Sequence, residues 1–410
     1  MTLAIRLPCA DRKIERYTLH PARGFPRRAA GPFNRVAFAA AHLVADPLAD
    51  NDPWLAPAVD WDRTIAFREH LWDLGFGVAE AMDTAQRGMG FGWTESLDLI
   101  RRTLAAAKAR GGAAPGGAPG GAPGGAPGEA LVFSGAGTDH LAPEDARSVD
   151  DVIRAYEEQV GAIEALGGRI ILMASRALAR VARGPADYVR VYSRILSQVR
   201  QPVILHWLGD MFDPALAGYW GCRDVGEAMD VVAGLIGDHA AKVDGIKISL
   251  LDQEKEVALR RRLPANGAGG VRMYTGDDFN YAELIAGDAQ GFSHALLGIF
   301  DAIAPAASAA LAALANGDAA GFRDILAPTV PLSRHIFKAP TRFYKTGVVF
   351  MAYLNGHQDH FTMVGGQESA RSTLHLAELF RLADQAGLLA NPELATRRMA
   401  AILATRGVDA

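Results

Sequence analysis

From Arg35 onward, short apolar runs alternate with amphipathic stretches of helical length, and this alternation limits what the chain can fold into more than any single residue does. Eight runs can be counted: RVAFAAAHLV (35–44), GVAEAM (77–82), EALVFSG (129–135), RIILMAS (169–175), QPVILHW (201–207), VDGIKIS (243–249), GVRMYTG (270–276) and GFSHALL (291–297). Between them lie stretches such as TESLDLIRRTLAAAKAR (94–110), SVDDVIRAYEEQVGAIEALG (148–167) and ADYVRVYSRILSQV (186–199), with apolar residues spaced by three and four. A strand that is followed by a helix and then another strand pairs in parallel, because a parallel neighbour is reached only through a crossover. Eight such units suit a closed barrel better than an open sheet, so the sequence predicts an α/β fold, a (β/α)8 TIM barrel.

Residues 1–34, rich in Arg and Pro, read as an N-terminal extension with a strand or two, residues 35–298 as the barrel, and residues 299–410 as a helical appendage packed on it. The last part includes ARSTLHLAELFRLADQAGLL (370–389), again with helical spacing. Residues 114–128, APGGAPGGAPGGAPG, offer too little side chain to bury and read as a flexible insertion between a helix and the following strand. In a barrel that is the N-terminal face, away from the chemistry.

The chain is 50% apolar and 21% charged, enough to bury a large core. Its 42 basic and 46 acidic residues are interspersed, with a formal net charge of −4, so no basic stripe is available for a nucleic-acid backbone. No segment reads as a signal peptide or a membrane span, which predicts a cytoplasmic protein. Cys9 and Cys222 have no metal-site partners nearby in sequence and read as reduced thiols.

Catalytic side chains of such a barrel come from the C-terminal ends of its strands. Here those ends offer His42, Asp83, Thr84, Thr138, Asp139, His140, Ser175, Arg176, His206, Asp210, Lys247, Ser249, Thr275, Asp277, Asp278, Ser293 and His294. Lys247 stands apart, because it sits within the apolar run VDGIKIS, where a lysine is normally excluded. Pointing into a barrel, it would be desolvated and its amine pKa would fall, giving the free amine that Schiff-base chemistry needs. The plain structural alternative is a lysine at the strand mouth paired with an acid.

The order of the pieces resembles a known family. VDWDRTIAFREHLWDLGFGVAEAMDTAQ (59–86), SGAGTD (134–139), PVILHW (202–207), GIKIS (245–249), GDD (276–278) and GFSHALLGIFDAIAP (291–305) stand in register with motifs of the dihydrodipicolinate synthase and N-acetylneuraminate lyase superfamily of class I aldolases. The resemblance runs from Arg35 to about Gly317 and points to an uncharacterised dihydrodipicolinate synthase-like branch. It implies that Lys247 is the Schiff-base lysine, that Thr84 matches the second threonine of the substrate-carboxylate loop, and that neither cofactor nor metal is needed. It also implies a homo-dimer or tetramer with a small-molecule carbonyl substrate.

The sequence departs from the family at two places. Asp83 stands where the carboxylate loop has its first threonine, and a fixed negative charge repels a carboxylate, so a polyol or keto-sugar, whose hydroxyls an aspartate can accept from, fits better than a pyruvate-like substrate. The fourth strand ends MASRA (173–177), without the family's proton-relaying tyrosine. His206, on the neighbouring strand, then becomes the candidate for proton transfer or else a structural histidine, with Ser175 and Tyr274 behind it. Arg176 would bind an anionic substituent or neutralise Asp83, Asp277 and Asp278 would touch substrate or cap the following helix, and Ser293 is grouped with the substrate-binding residues. His357 and His360, in NGHQDHF, read as part of a solvated or interface loop.

Two rival readings keep the barrel but change its chemistry. One is a divalent-metal-dependent sugar isomerase or class II aldolase with His42, Asp139, His206 and Asp210 as ligands. The other is a non-catalytic binding barrel.

Overall fold

Each of the eight apolar runs forms a strand: β3 (Ala37–Ala40), β4 (Gly77–Glu80), β5 (Val132–Ala136), β6 (Arg169–Leu172), β7 (Val203–Leu208), β8 (Val243–Ser249), β9 (Arg272–Thr275) and β10 (His294–Leu297). Ahead of them β1 (Ala4–Pro8) and β2 (Ile14–Thr18) pair as an antiparallel hairpin. The eight later strands close in the order β10-β3-β4-β5-β6-β7-β8-β9, all parallel, with helices around them. This computed structural model describes residues 3–29, 31–111, 130–263 and 270–409. The 114–128 insertion expected on the N-terminal face lies outside the described residues.

Side chains alternate in and out along each strand. Phe38, Ala79, Phe133, Ile171, Ile204, Tyr274 and Leu296 fill the barrel interior, while Ile246 and Ile248 of β8 pack outward among the helices. The lower end is closed by polar groups. The Tyr274 hydroxyl donates to Asp244 at 2.6 Å, Arg272 reaches the same carboxylate at 2.8 Å, and the Arg169 guanidinium lies 4.0 Å from the centroid of the Phe133 ring.

Local sequence explains where several helices begin. Asp60 caps the helix Trp61–Asp73 by accepting from the Arg63 N–H, and Ser148 and Asp151 form a reciprocal capping box at the start of Val149–Ala165. Outside the barrel, Arg68 grips the Glu80 carboxylate with two bonds of 2.9 Å, and the Thr103 hydroxyl adds a third of 2.6 Å. Arg68, Glu80 and Thr103 are fully buried, so this satisfied network fixes two helices to β4, and losing one partner would strand a buried charge.

The C-terminal helices do more than lie beside the barrel. All eleven residues of the helix Tyr344–Leu354 are buried, because apart from Lys345 and Thr346 in its first turn it is apolar almost all round and is surrounded by other helices. Its first turn reaches the polypeptide that follows β4. The N-terminal hairpin docks on the same region, where the Tyr17 hydroxyl donates to Asp384 at 2.7 Å and Arg381 donates to the Pro8 carbonyl at 3.0 Å.

Candidate active site

Lys247 projects into the barrel from β8 and is 7% exposed. Space for it comes from the next strand's end: a Cβ on Gly276 would lie 2.7 Å from the Lys247 Cε. It is the one lysine within a strand among the described residues, and none of their carboxylates lies within 4.0 Å of its amine. The strand-mouth ion pair is therefore not formed. Burial pushes the amine below the ordinary lysine range, with Asp278 and Asp83 opposing at longer range.

The cavity around Lys247 is narrow, about 10 Å³, room for roughly one water, and is walled by Asp83, Thr84, Ser249, Asp278, Phe337 and Tyr344, among others. Asp278 accepts from the Ile299 N–H at 2.8 Å, and burial pushes its carboxyl up to about 7. Thr84 lies in a turn of 3-10 helix after β4, and its Oγ1 is 2.8 Å from the Tyr344 hydroxyl. Burial, reinforced by Asp83, keeps that phenol protonated far above neutrality.

His206 sits beside Lys247 in strand register and is buried. Its Nε2 is 3.4 Å from the Ser249 Oγ, and its Nδ1 has no partner. Burial and then the Lys247 charge hold the ring well below the ordinary histidine range, so it is neutral at pH 7. It borders a second cleft of about 70 Å³ together with Asp83, Arg87, Thr138, Asp139 and Arg176. Arg176 pairs with Asp213, and does not neutralise Asp83.

Four expected substrate contacts point elsewhere. The Tyr274 ring is inside the barrel, but its hydroxyl turns down to Asp244, at the closed end. Ser293 precedes β10 and so lies at the strand's N-terminal end, where it donates to Glu256 at 2.6 Å. Asp277 caps the next turn by accepting from the Phe279 N–H at 2.8 Å and the Asn280 N–H at 3.0 Å, and the cavity takes Asp278 in its place. Ser175 is spent on the N-cap of Arg176–Val181 and on the Thr138 hydroxyl at 2.6 Å.

The four ligands of the metal reading are not brought together. His42 is bonded to Asp301 at 2.8 Å and Asp139 to Arg87 at 2.7 Å, and no group of three or more His, Cys, Asp or Glu among the described residues is arranged to hold an ion. His357 packs half-buried against Phe67 and His70, with ring centroids 5.0 and 4.6 Å away, which corrects the solvated-loop expectation for it.

Over residues 5–408 the sequence matches the family described as protein of unknown function DUF993. The chain belongs to that family. The fold of this DUF993 protein is similar to that of several solved structures at low identity. YagE, a prophage protein belonging to the dihydrodipicolinic acid synthase family from E. coli K12 and solved with pyruvate, is 16% identical with a TM-score of 0.63, covering 86% of this chain and 99% of its own. Dihydrodipicolinate synthase from Aquifex aeolicus is 12% identical with a TM-score of 0.60, covering 87% and 99%. The chloride-inhibited enzyme from Acinetobacter baumannii, complexed with pyruvate, is 17% identical with a TM-score of 0.58, covering 87% and 99%. No curated protein matches the chain. Among the described residues, no helix of the DUF993 protein is long and apolar enough to cross a membrane.

Sequence reasoning missed the contribution of the C-terminal region: Phe337 and Tyr344 wall the Lys247 cavity, and Arg342 and Lys345 line a further cleft beside it. A signal was present in YKTGVVFMAYL (344–354), where a lysine sits in an otherwise apolar helix. That is the same anomaly that marks Lys247.

Proposed function

We propose that this DUF993 protein is a class I lyase or aldolase in which Lys247 forms a Schiff base with a carbonyl substrate of the keto-sugar or sugar-acid kind. The observation that carries the reading is a buried lysine at the C-terminal end of a barrel strand with no carboxylate at ion-pair distance and a depressed amine pKa. Attack of the free amine on the carbonyl carbon, followed by loss of water, yields an iminium ion. The iminium draws electrons from the bond at the adjacent carbon, so that bond breaks or forms without a free carbanion.

Protons must be moved at the carbinolamine and at the carbon leaving group. His206 is the neighbour in register with Lys247, and the Thr84–Tyr344 pair borders the same amine. Two of the similar structures were solved with pyruvate. Asp83 in the cavity wall argues against that substrate here, because a carboxylate next to the carbonyl would meet a fixed negative charge, whereas a hydroxyl would donate to it.

Borohydride reduction in the presence of neutral and acidic keto-sugars, read by intact mass, tests the reading. The expected result is a covalent adduct with at least one of them. Absence of any adduct, together with activity abolished by a chelator, would overturn it in favour of metal-dependent chemistry.

A further inference from the structure

Lys345 is a cation that the fold buries without supplying a carboxylate. It is 4% exposed, its Nζ donates to the Arg342 carbonyl at 3.1 Å, and its other near contact is the Met89 thioether sulfur, also 3.1 Å away. Among the described residues, no carboxylate lies within 4.0 Å of it. An ammonium has three donors and a thioether is a weak acceptor, so only one of the three is well satisfied. Burial pushes this amine down to about 8, with Asp83 opposing, so most of it is charged at pH 7. A buried charge of this kind calls for a counter-ion.

Lys345 lines a cleft of about 230 Å³ with Asp83, Arg87, Arg176, Arg342 and Asp213. Two of its cations are already committed, Arg87 to Asp139 and Arg176 to Asp213. Arg342 and Lys345 remain, with Asp83 against them and Asp213, already paired with Arg176, acting more weakly, and Asp83 also acts on Lys247. Asp83, Leu208, Phe212 and Tyr344 border both this cleft and the Lys247 cavity, so the two adjoin.

We propose that the cleft is a phosphate subsite, and that the carbonyl substrate carries a phosphate monoester remote from its carbonyl, held by Lys345 and Arg342. Only the carbonyl half rests on the Schiff-base reading. Two cations without a carboxylate partner suit a dianion better than a lone carboxylate. Asp83, between the two lysines, sets the polarity: it disfavours an anion beside the carbonyl, and the cations favour one at the far end.

Two measurements test this. Inorganic phosphate titrated calorimetrically into wild type, Lys345→Gln and Lys247→Arg should bind to the first and third, and about tenfold or more weakly to the second. Arg342 is exposed, so Arg342→Gln should fold normally and weaken phosphate binding severalfold, which keeps the proposal open to refutation if Lys345→Gln does not fold. In borohydride trapping, ribulose 5-phosphate, whose phosphate is three carbons from the carbonyl, should react at about tenfold lower concentration than ribulose, and Lys345→Gln should erase that preference while still trapping the neutral ketone. Phosphate binding that is absent from wild type, or unchanged in both variants, would overturn the subsite. Phosphate binding that depends on Lys345 and Arg342, with no adduct from either ketone, would uphold the subsite and defeat the Schiff-base reading instead.

Discussion

The hydroxyl of Tyr344 lies 2.8 Å from the Thr84 Oγ1, joining residues 260 positions apart. The contact brings a protonated phenol from a C-terminal helix to the turn after β4, where both groups wall the Lys247 cavity. The end of β6 provides no tyrosine, and the C-terminal helix brings one to the same mouth.

If that phenol moves protons for the chemistry, Tyr344→Phe should lower kcat by about 100-fold or more, in the range of general acid-base catalysis. The ring itself would stay stacked on Phe337, with centroids 4.4 Å apart, so the melting temperature should change little. An unchanged kcat would leave the relay to His206, and His206→Asn would then show the loss.

Asp83 raises the Lys247 amine pKa, as does Asp278, against the larger effect of burial. Removing the Asp83 charge in Asp83→Thr should let the amine fall further and stay unprotonated to lower pH. The acidic limb of the kcat/KM profile should move down by about one pH unit, and small 2-oxo acids should become better substrates. A limb that stays in place would show that another group controls it.

Only part of the site was legible in the sequence. Lys247 could be read because strand β8 is apolar around it, and the eight strands could be read because each run has strand length and is bounded by helical patterns. Facing was harder to read. Tyr274 and Ser293 sit in or beside the right strands, but composition does not reveal that the Tyr274 hydroxyl points to the closed end or that Ser293 precedes β10. Tyr344 and Lys345 reach the mouth through tertiary packing alone, and no local spacing connects them to Thr84 or Lys247.

Glu256 offers a test of the folded state that is separate from the chemistry. It is fully buried, accepts from the Ser293 hydroxyl at 2.6 Å, and leaves Oε2 without a partner. Burial pushes its carboxyl up from 4.5 to about 8. A raised carboxyl pKa means the folded state holds the proton more tightly, so its stabilisation is complete below pH 4.5 and is lost as pH climbs through 8. The upper bound is the shift multiplied by 1.36 kcal/mol per unit, about 5 kcal/mol. Glu256→Gln should remove this dependence, so that wild type loses more melting temperature than the variant between pH 5 and pH 8. Parallel curves would show that Glu256 ionises at an ordinary pH.

The central claim concerns one amine, and two buried lysines compete for it, because Lys345 also has a depressed pKa. Peptide mapping of the borohydride-reduced adduct distinguishes them. The adduct is expected on the peptide containing Lys247, and is expected to vanish, along with activity, in Lys247→Arg while the melting temperature stays close to that of wild type. An adduct that maps to Lys345, or activity that survives in Lys247→Arg, would contradict the account.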